Sequence, residues 1–282
     1  FFKQKTAYEL SLGLVGSEMC IRDSQVTMRS NSGVNIKAGQ LELTGTEQAW
    51  EKESSTDSGH GRLQYNQVLA QPLVQSFIAD TELTPTEPIS RYARFQVPRE
   101  SPPTVHGEVT HVTWEVTGKL ETDDGKRVTN SKEVTVLTLP VVSQGRTAAD
   151  LTEEATFNGC TLAMVLVNDV VGVGGYLEGE LRAHMNVTEQ AKDIRMELHS
   201  AENAGDRHKE STRQRVSLES NVQLTVNRSY VWPFSLLVPD RTLPTVKNGK
   251  TTVSWLLKAI VDTDQSPDTY HLDREVQIFT ST

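Results

Sequence analysis

Apolar and polar residues alternate along much of this chain with a period of two. Val112, Trp114, Val116 and Leu120 alternate with His111, Thr113, Glu115 and Lys119. Successive side chains of a strand point to opposite faces, so the first set predicts one buried strand face. Val253, Trp255, Leu257, Ala259 and Val261 predict the same kind of face further on. Leu162-Met164-Leu166, Leu181-Ala183-Met185-Val187 and Ile194-Met196-Leu198 alternate likewise. Turn chemistry separates these runs: Asp123-Asp124-Gly125 reads as a hairpin turn and Lys247-Asn248-Gly249-Lys250 as another. Pro98 and Pro239 each follow an apolar run and end it, because proline lacks the ladder N–H. Helical periodicity is nearly absent, the best candidate being the short acidic piece Ala148–Glu154. Many short strands with regular turns predict an all-β protein built of sandwiches.

The alternation is also duplicated. "FQVPRESPPTVHGEVTHVTWEVTGKL" begins at residue 95, and "LLVPDRTLPTVKNGKTTVSWLLKAIV" begins at 236. In both, a tryptophan follows the first proline by 16 residues, Trp114 after Pro98 and Trp255 after Pro239. Pro103-Thr104-Val105 matches Pro244-Thr245-Val246 at the same offset of 141. Upstream, Glu42-Leu43 and Glu47-Gln48-Ala49 match Glu197-Leu198 and Glu202-Asn203-Ala204 at an offset of 155. The reading is two tandem immunoglobulin-like β-sandwiches, 25–139 and 158–282, joined by a polar linker at 140–157. Trp114, Trp255, Pro98, Pro239, Pro103 and Pro244 are expected to form the repeated structural core. The second copy opens with a strand at 160–168 and then "GVGGYLEGEL", for which the first copy has no counterpart.

The place of those opening strands is taken by "KQKTAYELSLGLVGSEMCIRDS", residues 3–24, which follows neither period. Back-translated, Lys3–Glu9 reads AAG-CAG-AAG-ACG-GCA-TAC-GAG and Leu14–Asp23 reads CTC-GTG-GGC-TCG-GAG-ATG-TGT-ATA-AGA-GAC. Both strings resemble short-read sequencing adapters, with Leu10–Gly13 where a sample index would lie; Leu10 departs from the primer's continuation. Residues 1–24 are therefore set aside as non-native, and the first sandwich is expected to be truncated at its N-terminus.

Setting them aside changes the cysteine count and leaves the charge as it was. The formal net charge is −9, and an acidic chain without a basic face is a poor nucleic-acid binder. No apolar run reaches the length of a membrane span. Cys160 becomes the sole native cysteine, which excludes an intramolecular disulfide and favours a reducing, cytoplasmic setting. Asn186-Val187-Thr188 and Asn227-Arg228-Ser229 fit the glycosylation pattern but read as strand surface.

Motifs for chemistry are weak. A Gly-x-Ser-x-Gly elbow is absent. His106 and His111, five apart, read as opposite faces of one strand, unable to share a metal; His199 and His208 lack zinc-ligand spacing. "GVGGYLEG" has Leu177 where a dinucleotide fingerprint needs its last glycine, so it reads as a bend between strands. Asp262, Asp264, Ser266 and Asp268 have the alternate spacing of a calcium loop, but Pro267 stands where glycine is required and Asp273 where a glutamate would close it. No catalytic residue, metal or cofactor is expected. Two polar segments remain as candidate interaction loops: Ser54, Ser55 and His60 in the first, and Asp206, Arg207 and His208 in the second.

Two sandwiches that each carry Val-Pro, a Pro-Thr bend and Val-x-Trp resemble the arrestin-like family, here in Val97-Pro98 with Trp114 and Val238-Pro239 with Trp255. "GGYLEGEL" at 174–181 resembles the family's glycine hairpin, with Gly175 and Gly179 kept and its proline missing. The segment "VSWLLKAIVD" with "REVQI" is closest in feel to bacterial arrestin-like sporulation-control proteins. Pro-Pro-x-Tyr motifs and a phosphate-reading arginine cluster are absent, so ligase recruitment and receptor reading are not implied. The resemblance implies a non-enzymatic adaptor or scaffold that binds protein partners through strand edges and loops, in signalling, trafficking or sporulation-type control. Peripheral membrane association through such partners stays open. The alternative is a secreted or surface immunoglobulin-like structural or adhesion module.

Overall fold

A computed structural model describes residues 8–15, 21–52, 62–69, 71–98, 100–137, 140, 147–263 and 270–280. These residues form strands, one 3-10 turn and no α-helix. In chain order the first nine strands are β1 (Tyr8–Val15), β2 (Ile21–Ser30), β3 (Val34–Lys52), β4 (Arg62–Val68), β5 (Leu73–Leu83), β6 (Ile89–Gln96), β7 (Val105–His106), β8 (His111–Thr122) and β9 (Arg127–Val134). The remainder are β10 (Thr152–Thr156), β11 (Cys160–Leu166), β12 (Val170–Gly172), β13 (Tyr176–Met185), β14 (Glu189–Ala204), β15 (Arg207–Leu224), β16 (Ser229–Leu237), β17 (Val246–Asn248), β18 (Thr251–Thr263) and β19 (Tyr270–Phe279).

They assemble into four sheets. One has the order β1-β2-β6; a second has β3 at its heart, with β4 and β5 on one side and β8, carrying β7 and β9, on the other. The third runs β10-β11-β13-β16, and the fourth runs β12-β19-β18-β14-β15 with β17 also on β18. The first sheet meets the second where β1 nears β9 and β5 nears β6, and the third meets the fourth where β15 nears β16 and β10 nears β19. The result is an all-β, layered architecture.

The period-two pattern explains the layers. Val112, Trp114, Val116, Gly118 and Leu120 of β8 are buried while His111, Thr113, Glu115, Thr117 and Lys119 are not. Val253, Trp255, Leu257, Ala259 and Val261 of β18 are buried in the same way. Removing apolar area from water is worth roughly 25 cal/mol per Å2, so each such face holds its sheet against the opposing one.

The two sheet pairs repeat each other in detail. β3 meets β8 with Glu42 opposite Thr117 and Glu47 opposite Val112; β14 meets β18 with Glu197 opposite Lys258 and Glu202 opposite Val253. The Trp114 indole N–H donates to the Pro102 carbonyl at 3.0 Å, and that of Trp255 to the Leu243 carbonyl at 3.1 Å. Thr104 Oγ1 accepts from Val136 N at 2.9 Å, and Thr245 Oγ1 from Ile278 N at 2.9 Å. Pro98 follows β6 and Pro239 follows β16; Pro103 and Pro244 are buried in the bends that precede β7 and β17.

Several details differ from the sequence reading. Residues 8–15 and 21–24, set aside there, occupy β1 and the start of β2, and β2 pairs with β6 from Ile21–Gln96 to Met28–Ile89. Their likeness to adapter sequence is a statement about origin, on which strand pairing does not bear; Leu10, Leu12 and Leu14 alternate as a strand would. Within the expected linker, Ala148–Leu151 form the 3-10 turn and β10 pairs with β11, so 152–156 belong to the third sheet. Asn186 follows the end of β13, and Asn227, with φ 60°, sits in the turn before β16 rather than on a strand surface. The polar run Asn203–Thr212 is no open loop: β14 and β15 pair through to Ala204 and Arg207, leaving a turn of two residues. His106 and His111 do not share a strand. The 107–110 turn separates them, and they face each other across β7 and β8 with ring centroids 6.5 Å apart.

Candidate interaction seam

Inward positions at the end of a sheet ought to be apolar. On β3 the inward sequence runs Leu41, Leu43, Gly45, Glu47, Ala49, and on β14 it reaches Ser200, Glu202, Ala204. Both glutamates are buried, Glu47 at 3 % and Glu202 at 0 % exposure. A buried carboxylate is tolerated only when donors surround it. Each finds them in the other sheet pair.

Glu202 is the better satisfied. Its Oε2 accepts from the Val109 N–H at 3.2 Å, the Thr110 N–H at 3.3 Å and the Thr110 hydroxyl at 2.8 Å. A Cβ on Gly107 would lie 2.1 Å from the same oxygen, so only glycine lets the carboxylate reach this turn. Arg213 approaches Glu202 Oε1 at 3.4 Å and Glu108 at 3.4 Å, while Lys209 reaches Glu108 at 3.4 Å. Charge-assisted bonds of this type are roughly twice as strong as neutral ones. Glu47 has the reciprocal seat: its Oε2 accepts from the Asn248 side-chain amide at 3.2 Å.

Between the two carboxylates lies a backbone crossing. Trp50 and Gly205 form an isolated parallel bridge, and the Asp206 N–H donates to the Trp50 carbonyl at 2.9 Å. Gly205 has φ +62°, and a Cβ there would sit 2.1 Å from that carbonyl, so the approach needs glycine twice over. The Arg207 guanidinium covers the Trp50 ring at 3.8 Å, and the Lys250 ammonium lies 5.0 Å from the Tyr65 ring. His111 borders the seam; burial and the neighbouring His106 hold its imidazole below the ordinary range, with Glu202 opposing them. Two buried seam atoms have no hydrogen-bond partner, Trp50 Nε1 and Thr251 Oγ1.

Of the candidate interaction residues, Asp206 and Arg207 lie in this seam against Trp50. His208 turns back on its own sheet, bonding Asn203 Oδ1 at 2.6 Å and Glu210 Oε1 at 3.1 Å. Ser54, Ser55 and His60 lie outside the described residues. So do Asp264, Ser266 and Asp268; Asp262 approaches Arg195 at 3.8 Å. Of the six expected core residues, Trp114 (4 % exposed), Trp255 (2 %), Pro103 and Pro244 are buried, whereas Pro239 is half-buried and Pro98 is exposed, because each of these two only ends a strand at the rim of its sheet. Among the described residues no three His, Cys, Asp or Glu side chains could hold a metal ion, and no helix is long and apolar enough to cross a membrane. The seam glutamates were not singled out from sequence, although both lie in the matched Glu-x-Ala strings. An acidic residue at an inward strand position was the available signal.

Outside the seam, β15 ends its sheet and is 18 residues long. The outer face of β14 and β15 is held by ion pairs: Asp193 accepts from Arg215 at 2.5 Å and Ser217 at 2.7 Å, and within β14 Glu197 bonds Arg195 at 2.7 Å and His199 at 2.8 Å. Burial alone would raise both carboxyls, but these partners hold both below the ordinary range. No protein-family model matches the chain, and no curated protein matches it.

Proposed function

We propose that the chain is a duplicated β-sandwich of arrestin-like build that acts as a non-enzymatic adaptor for protein partners. The carrying observation is the repeat itself: the same tryptophan-to-bend bond, the same threonine clamp and the same strand register recur in both sheet pairs. The reading of two tandem domains rests on that recurrence. Two such units joined through a polar seam hold their outer edges at a fixed spacing, which is what a scaffold requires. β15 supplies the longest such edge, and its charged side chains suit it to selective pairing, since an edge presents unpaired N–H and C=O groups to an incoming strand. A cytoplasmic setting fits a buried, unpaired Cys160.

The test is affinity capture followed by hydrogen exchange on the purified complex. The expected result is a partner whose binding slows exchange along an edge strand, β15 foremost. Protection confined to a pocket, or turnover of a small molecule by the chain alone, would overturn the adaptor reading.

A further inference from the structure

The seam is self-complementary. Glu47 and Glu202 are equivalent under the offset of 155, and the turns they enter, 248–251 and 107–110, are equivalent under the offset of 141. Trp50 and Gly205 are themselves equivalent and touch each other. When element i of one unit meets element j of the other, and j meets i, the contact is isologous, as in a two-fold dimer. The two units thus meet as the subunits of a dimer would.

We propose that this surface accepts a second copy of the chain, through the later unit and not the earlier one. At the centre of a pairing between two later units, Gly205 would meet Gly205, and neither carries a Cβ. Between two earlier units, Trp50 would meet Trp50. A Cβ at the facing position lies 2.1 Å from the Trp50 carbonyl, so that pairing is blocked. The flanking seats agree with this choice. In a later–later pair, Glu202 of each copy would face the 248–251 turn of the other, the same turn that Glu47 enters through Asn248. Thr251, whose buried Oγ1 lacks a hydrogen-bond partner, would then stand where Thr110 stands now, as a hydroxyl donor to Glu202. The inference rests on the duplication and is independent of the adaptor role.

Within one chain the tether favours the internal seam, because linked units see each other at an effective concentration in the millimolar range. The test therefore blocks the earlier unit's side. Gly107→Leu fills the seat of Glu202 in the earlier unit and leaves the later unit untouched. The full chain carrying it is expected to sediment with a dimer fraction several-fold above wild type at tens of micromolar. Adding Glu202→Lys should return it to monomer. Gly205→Val, which obstructs the centre from the other side, should open the seam without producing a dimer. Glu47→Lys releases the earlier unit from outside the 107–110 turn and repeats the test should Gly107→Leu disturb that turn; circular dichroism monitors the sheets. A monomeric Gly107→Leu chain with intact sheets, a dimer that survives Glu202→Lys, or a dimer of Gly205→Val would overturn the proposal. Loss of sheet signal in both Gly107→Leu and Glu47→Lys would overturn it as well, because the seam would then be inseparable from the fold of each unit.

Discussion

Glu202→Gln isolates the energetics of the seam. The substitution keeps shape and removes charge. In the wild type, one oxygen accepts two backbone N–H groups and one hydroxyl, at 2.8–3.3 Å, inside a site with no solvent exposure. Hydrogen bonds to a charged group are worth about 1.5–3 kcal/mol each, but an amide oxygen still accepts, so the loss is of the order of one such bond. The new NH2 group also faces Arg213, where a carboxylate oxygen lay at 3.4 Å. A cost of about 1.5–3 kcal/mol converts to a roughly 10- to 150-fold rise in local opening. The amide protons of Val109 and Thr110 report it directly, because both donate to this oxygen. Hydrogen exchange followed by mass spectrometry or NMR should show them accelerated by that factor, while amides in the centre of β18 keep their wild-type rates. Unchanged exchange at Val109 and Thr110 would refute the claim that Glu202 holds the turn. Uniform acceleration throughout the chain would refute the claim that the seam opens locally.

Other consequences are simpler to check. Trp114→Phe and Trp255→Phe each remove an indole N–H from a bend carbonyl, which orphans that carbonyl; each should cost about 2 kcal/mol in a urea titration, by similar amounts because the geometry is the same. Acid should weaken the β14–β15 region: Asp193 and Glu197 titrate below their unfolded values, so their stabilisation is complete above the ordinary carboxylate range and is lost as pH falls through the depressed values. Arg195→Met, removing a cation shared by both, should flatten that acid dependence in melts between about pH 5 and pH 2. The Cys160 thiol is pushed up to about 12 by burial, with Glu189 adding to it. In a Cys20→Ser background its alkylation at pH 8 should be about 10^3-fold slower than that of an unstructured thiol, and rapid labelling of the folded chain would contradict its burial.

Much of the layered core could be read from alternation. β8 and most of β18 alternate apolar and polar positions, with Leu256 and Ile260 the exceptions, and their tryptophans are buried where the pattern put them. Pattern failed where chemistry replaced hydrophobicity. The first stretch of β15, Arg207–Arg215, is polar on both faces, and its apolar positions Val216, Leu218, Val222 and the buried Leu224 come only later, so Arg207–Thr212 read as loop. His106 and His111 were assigned to one strand because the 107–110 turn carries a single glycine and no Asn-Gly or Asp-Gly signal. That turn is held from outside by Glu202, a partner 92 residues away from Thr110, and no local signal can announce such a contact. The seam is invisible for the same reason. Its residues come from strands and turns of both sheet pairs, and their contacts form only where the two pairs face each other.

The opening strands bring these lines together. β2 supplies Val26 and Met28 to the interior, both fully buried, and lies between β1 and β6. β1 contributes a ladder to β2 along Tyr8–Ser30 to Val15–Asp23 and nears β9. Deleting residues 1–20 would therefore remove β1 whole, keep Val26 and Met28, and leave β2 as a bare edge. An uncovered edge invites pairing with another chain. The truncated chain should lose stability in the earlier sheet pair only, with exchange rising in β2 and β6, and should aggregate more readily than the full chain. Exchange in β14 and β18 should be unaltered, since their ladders and cores are built from later residues. If β14 and β18 loosened in step with β2, the two sheet pairs would share one cooperative core, and the argument from duplicated, separately closed units would fail with it.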